Sequence, residues 1–149
     1  MRTVNLLRST LFTLLVFSQL LAANAFAADP PDSVEKTFKE QFPQAENYKW
    51  IVTNEKNKEY AVEFTLGRDK LKAYYNTNGN LVETEKEMNP DLLPALVKQA
   101  LETQFQHFKI IKSLVIEKNN KVSSYELVIK SDGVKTTMIM STDGYMIAR

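Results

Sequence analysis

The sequence predicts an α+β protein made of two tandem helix-plus-four-strand repeats, with antiparallel sheets side by side and the helices packed on one face. Three observations carry that prediction. The first is an internal echo. Val34-Glu-Lys-Thr-Phe38-Lys-Glu-Gln-Phe42 is answered 63 residues later by Val97-Lys-Gln-Ala-Leu101-Glu-Thr-Gln-Phe105. Tyr60-Ala-Val62-Glu-Phe64 and Asn78-Gly79-Asn-Leu81 are answered 65 residues later by Tyr125-Glu-Leu127-Val-Ile129 and Asp143-Gly144-Tyr-Met146. The two extra residues are an even number, so a two-residue period keeps every side chain on its face. The second observation is that each copy opens at helical spacing and continues in strict alternation. The third is composition: 149 residues, 44% apolar and 25% charged, with four Gly, five Pro and no Cys. That excludes a disordered chain, a collagen-like repeat and a disulfide-stapled miniprotein, and leaves one modest domain stabilised by burial.

The chain begins with a leader. Arg2 and Arg8 precede an apolar stretch from Leu11 to Leu21, and small residues end in Ala25-Phe26-Ala27. This is the pattern of a secretory signal with an A-x-A cleavage site near Ala27, so residues 1–27 are expected to be removed and the product to be periplasmic or secreted. The apolar core is short of the roughly 20 residues a membrane span needs, so no span is expected after cleavage; an uncleaved anchor is the alternative. The domain is expected over 28–149, with its repeats at about 32–87 and 88–149. Losing Arg2 and Arg8 takes the net charge from +1 to −1, which excludes a strongly basic nucleic-acid binder.

In the first copy Val34, Phe38 and Phe42 recur at i, i+4 and i+8, with Asp32 or Ser33 available as N-cap and Pro43 beyond the exit. In the second, Asn89-Pro90-Asp91 and Pro94 crowd the start, so a helix is expected from Pro94 at N1 to Phe105, burying Leu93, Leu96, Val97, Ala100, Leu101 and Phe105. Strands are expected over 48–53, 59–66, 70–76 and 80–85, then 110–117, 122–130, 134–141 and 145–148. Asn78-Gly79, Asp143-Gly144, Gly67 and Gly133 mark the turns.

Alternation sorts the strand residues onto two faces. Tyr48, Trp50, Val52, Tyr60, Val62, Phe64, Leu71, Ala73, Tyr75 and Leu81, with Val115, Tyr125, Leu127, Ile129, Met138, Met140 and Met146, form the helix-covered face. Ile51, Glu63, Lys72, Tyr74 and Val82, with Leu114, Ile116, Val128, Ile139 and Ile147, form the other, which is too apolar to be left to water.

Motifs for catalysis are missing. His107 is the only histidine, at a helix exit, which rules out a multi-histidine metal site and favours a polar exit residue over a catalytic base. There is no nucleophile elbow, Walker loop, dinucleotide fingerprint or zinc-protease motif. Glu83, Glu85 and Glu87 share one side of a strand, where calcium is conceivable, but Lys86 intervenes and a solvated sheet edge fits better. No catalytic residue, metal ligand or cofactor is assigned.

Phe42-Pro43-Gln44-Ala45 at the helix exit, Trp50, Tyr60-Ala-Val62-Glu-Phe64, Asn78-Gly79 and Leu93-Pro94 come in an order that resembles the PepSY-like family of periplasmic beta-lactamase-inhibitor-like (BLIP-like) proteins. The resemblance runs from about Val34 to the C-terminus. It implies two tandem helix-plus-four-strand units with helices against one face. The inhibitor behind the family name has repeats pinned by disulfides, which this cysteine-free chain cannot form, and no motif here matches its inhibitory residues. The resemblance therefore implies a fold and no activity.

The functional expectation is a non-catalytic periplasmic module that binds an unidentified protein or peptide of the cell envelope through the open sheet face. Val128, Ile139 and Tyr74 would supply apolar contact, and Glu63 and Lys72 orientation. The alternatives are a carrier of an apolar small molecule or an unrecognised small hydrolase. A homodimer through the same face is the structural alternative.

Overall fold

The computed structural model describes residues 29–147, so the expected leader and Ala148 lie outside the described residues. The elements run α1 (Asp32–Gln41), β1 (Glu46–Glu55), β2 (Lys58–Leu66), β3 (Asp69–Tyr75), β4 (Leu81–Glu87), a 3-10 turn (Pro90–Leu92), α2 (Ala95–Gln104), β5 (Phe108–Lys118), β6 (Lys121–Ser131), β7 (Val134–Ser141) and β8 (Met146–Ile147). The strands form one antiparallel sheet in sequence order.

This corrects the expected fold class. The protein is mostly β, a single eight-stranded sheet with two short helices, and not two tandem helix-plus-four-strand repeats with sheets of their own. The reason lies at β4 and β5, where Thr84–Glu87 pair with Leu114–Glu117. Beyond that ladder the Met88 N–H donates to the Ser113 carbonyl at 3.0 Å, and Ser113 Oγ donates to the Met88 carbonyl at 2.7 Å. Two separate sheets would each leave a row of unpaired backbone groups at this point, and fusing them satisfies those groups.

Both helices lie against the same face. Under α1, Phe38 (1% exposed) meets Phe42, Tyr48, Trp50 and Phe64 with ring centroids 5.2–5.9 Å apart, over a floor of Val62, Ala73 and Tyr75. Under α2, Val97 and Leu101 pack on Tyr125, Leu127, Ile129, Met138 and Met140. The first cluster is dominated by aromatic rings and the second by aliphatic and thioether side chains, with Tyr125 among them.

Several local expectations are also revised. Pro31, not Asp32 or Ser33, occupies the N-cap of α1. Pro94 caps α2 instead of opening it at N1, and Asn89 Oδ1 accepts from the Asp91 N–H at 3.0 Å to start the 3-10 turn ahead of it. Leu96 is 53% exposed, so α2 buries a narrower stripe than its spacing implied. Val52 and Met146 lie on edge strands and are exposed rather than core. Gly144 has φ +85°, and a Cβ there would stand 2.7 Å from the Leu96 carbonyl oxygen. The Asp143-Gly144 turn therefore needs glycine twice, for its backbone and for its approach to α2.

Candidate functional site

Residues paired across an antiparallel ladder share a face, so the register defines the helix-free side. One row runs Lys49, Glu63, Lys72, Glu85, Ile116 and Ser124. A second runs Ile51, Ala61, Tyr74 and Glu83, and a third Glu87, Leu114, Glu126, Ile139 and Ile147. The β1–β4 half is a ladder of alternating charge, and the β5–β7 half carries an apolar strip of Leu114, Ile116, Val128 and Ile139.

No described helix or strand packs over this face, yet Tyr74, Glu83, Leu114 and Ile116 are 3–7% exposed. Their cover comes from neighbours on the same face. The ammonium groups of Lys58 and Lys72 sit 4.8 and 5.3 Å from the Tyr74 ring centroid, within cation–π range, with their aliphatic stems alongside. A shallow trough of about 600 Å³ crosses the face, with Tyr74, Glu85 and Leu114 in its lining and Lys49, Lys70 and Lys112 around it.

The five residues expected to bind a partner all lie on this face, in different settings. Glu63 and Lys72 pair with each other at 3.5 Å. Val128 and Ile139 are half-buried, on adjacent strands. Tyr74 is buried, and its hydroxyl donates to Glu85 Oε1 at 3.1 Å, so it is part of the floor and not a protruding anchor. Val82 falls at the register shift between β3 and β4, which removes it from the alternation that had placed it here.

The three glutamates of β4 are where the expectation of a solvated edge fails, because β4 is an interior strand paired on both sides. Glu83 is 3% exposed and is held by Lys58 at 2.6 Å and Lys118 at 3.4 Å; Glu87 faces Lys112 at 3.9 Å. Burial pulls the Lys58 ammonium pKa down, but its hydrogen bond to Glu83 and the charges of Glu83 and Glu55 outweigh that and leave it raised. Lys58 escaped the sequence reading because the strand was expected to begin at Glu59, one residue after it. The available signal was three acids on one strand side, which an interior strand can carry only with cations nearby. Among the described residues no group of three or more acids or histidines converges to hold a metal ion. His107 is exposed, three residues beyond the end of α2, with φ +51°.

Glu85 lines the trough and is half-buried. Burial raises its carboxyl pKa, the charges of Glu126 and Glu83 add to the rise, and the Tyr74 hydroxyl and Lys72 oppose it. A carboxyl whose pKa rises on folding binds protons more tightly in the folded state. Its contribution is then present below its unfolded pKa and lost as pH rises through the folded value. Glu85→Gln keeps an acceptor for Tyr74 and removes the ionisation. The variant is expected to melt higher than the native protein at pH 7 and to lose that advantage near pH 4; thermal unfolding followed across pH checks this, and a lower melting point at pH 7 contradicts it.

Comparison with known proteins adds a fold and no family assignment. No family model and no curated protein matches the chain. Among solved structures, a BLIP-like protein from Bacteroides fragilis superposes with a TM-score of 0.62 at 19% identity, over 81% of this chain and 85% of that one. A DUF2874 family protein from Bacteroides ovatus gives 0.67 at 19%, over 81% and 86%. A protein from Bacteroides eggerthii described as periplasmic gives 0.69 at 16%, over 81% and 88%. No helix of the described residues is long and apolar enough to cross a membrane. The chain thus shares the fold of BLIP-like and DUF2874 proteins, one of its neighbours is described as periplasmic, and the PepSY-like label finds no support in these likenesses.

Proposed function

We propose that this protein is a non-catalytic module of the cell envelope, exported by cleavage near Ala27, that binds a protein or peptide partner on the helix-free face of its sheet. The observation that carries this reading is the half-buried pair Val128 and Ile139, continued by Ile147 at 44% exposure and rooted beside the buried Leu114 and Ile116, on a face over which no described element packs. A monomer needs no such strip on its water side. The charged ladder beside it supplies orientation, since Glu63 and Lys72 compensate each other and can exchange that pairing for a partner's groups. The trough is broad and shallow, which suits a protein surface better than an enclosed small molecule.

Site-specific photocrosslinking tests the reading. A benzophenone side chain at Val128 or Ile139 is expected to give a discrete adduct in intact cells, and the same group at Gln99 on α2 is expected to give none. Adducts formed only from Gln99 would place the contact on the helices and refute the proposal.

A further inference from the structure

Charge matching on the helix-free face is incomplete at one corner. Around the trough Lys72 is matched by Glu63 and Lys112 by Glu87, and above it Lys58 and Lys118 are matched by Glu83. Lys86, from the other side of β4, is matched by Asp69. Lys49 and Lys70 also line the trough, at its β1–β3 end, and neither has an acidic side chain within 4.0 Å among the described residues. They stand one on each side of β2, because Lys49 pairs with Glu63 and Lys70 with Thr65. Two strand spacings, about 10 Å, separate their strands. Both are exposed. At the other end of the trough lies Leu114, which pairs with Glu126 on β6, next to Val128 and Ile139.

We propose that this corner receives acidic side chains of an extended protein segment that crosses the strands along the trough, with apolar residues further along the segment seated on Leu114, Val128 and Ile139. The inference rests on the helix-free face being the binding surface and adds the chemistry of its partner. From Lys49 on β1 to Ile139 on β7 is six strand spacings, about 29 Å, which roughly eight or nine extended residues span. The segment is therefore short: two acids, a polar spacer and two apolar residues, with a single residue between the members of each pair. Glu63, Glu85 and Glu87 in the same trough argue against a polyanion such as nucleic acid, whose uniform charge they would repel.

The test uses the chain from residue 28 and a fluorescent eight-residue peptide with glutamate at its first and third positions, leucine at its sixth and eighth, and serine elsewhere. A counterpart carries lysine for glutamate. Fluorescence anisotropy is expected to show binding of the acidic peptide only, weakening with salt. Affinity should fall about tenfold or more in Lys49→Glu/Lys70→Glu, and less in Lys49→Gln/Lys70→Gln, since reversal adds repulsion to lost attraction. Lys36→Glu/Lys39→Glu on α1, across the sheet, should leave it unchanged, with thermal melts confirming that each variant folds. No binding of the acidic peptide, equal binding of its lysine counterpart, or indifference to the Lys49 and Lys70 changes overturns the inference. With the benzophenone at Val128, Ile139→Asp/Ile147→Asp separates the two levels. If it abolishes the crosslinked adduct while Lys49→Glu/Lys70→Glu leaves it intact, the face stands and its acidic partner falls; if neither matters, both fall.

Discussion

Phe38→Ala is expected to destabilise the protein by about 4 kcal/mol, the cost of emptying a fully buried aromatic site. Phe38 is 1% exposed and makes four ring contacts, to Phe42, Tyr48, Trp50 and Phe64, with the last three edge-on at centroid distances of 5.2–5.4 Å. Edge-to-face pairs add to the area term, so this side chain gains twice from its position. The site cannot collapse easily, because its walls belong to β1 and β2, whose backbones are fixed by pairing. Urea titration measures the loss. Trp50 is the only tryptophan and lies in the cluster, so its fluorescence should also shift toward that of a more exposed indole. Phe38→Leu, which retains most of the volume, should cost well under half as much. A Phe38→Ala protein with a native midpoint would show that α1 contributes little to stability.

How much of this was written in the residues differs by level. Four of the hairpin turns were legible because Gly67, Gly79, Gly133 and Gly144 all take positive φ, a conformation that favours glycine at such turns. Faces were legible for Val62, Tyr75, Leu127 and Met140, where alternation is undisturbed, but failed at Val82, where a register shift interrupts the count. Sheet membership was not legible. Alternation describes one strand at a time, and nothing in Leu81–Glu87 announces that its second edge pairs with Phe108–Lys118 and fuses everything into one sheet. The candidate site suffered from the same gap. Glu63, Lys72, Val128 and Ile139 were placed on the helix-free face from parity alone, whereas Lys58 fell outside the expected strand and Glu83 was misread as solvated because β4 is interior.

The Lys58 and Glu83 pair yields the second large effect. Lys58→Met is expected to cost about 3 kcal/mol, because it removes the nearer of two cations from a carboxylate that is 4% exposed. The figure lies at the low end for a broken buried pair, since Lys118 remains at 3.4 Å from Glu83. Methionine keeps the aliphatic cover over Tyr74, so packing changes little and the loss reports the charge. Glu83→Gln should cost less, about 1 kcal/mol, because its amide oxygen still accepts from Lys58 and no uncompensated charge is buried. Combining Lys58→Met with Glu83→Leu should return most of the stability, since an apolar pair of similar volume replaces a desolvated ionic one. With Glu83→Leu alone as the remaining corner, the native protein, the two single variants and the double form a cycle that separates electrostatics from packing. If Lys58→Met is neutral and the double variant is the least stable of the set, the pair acts as hydrophobic cover. The acids of β4 would then need another explanation for lying on an interior strand.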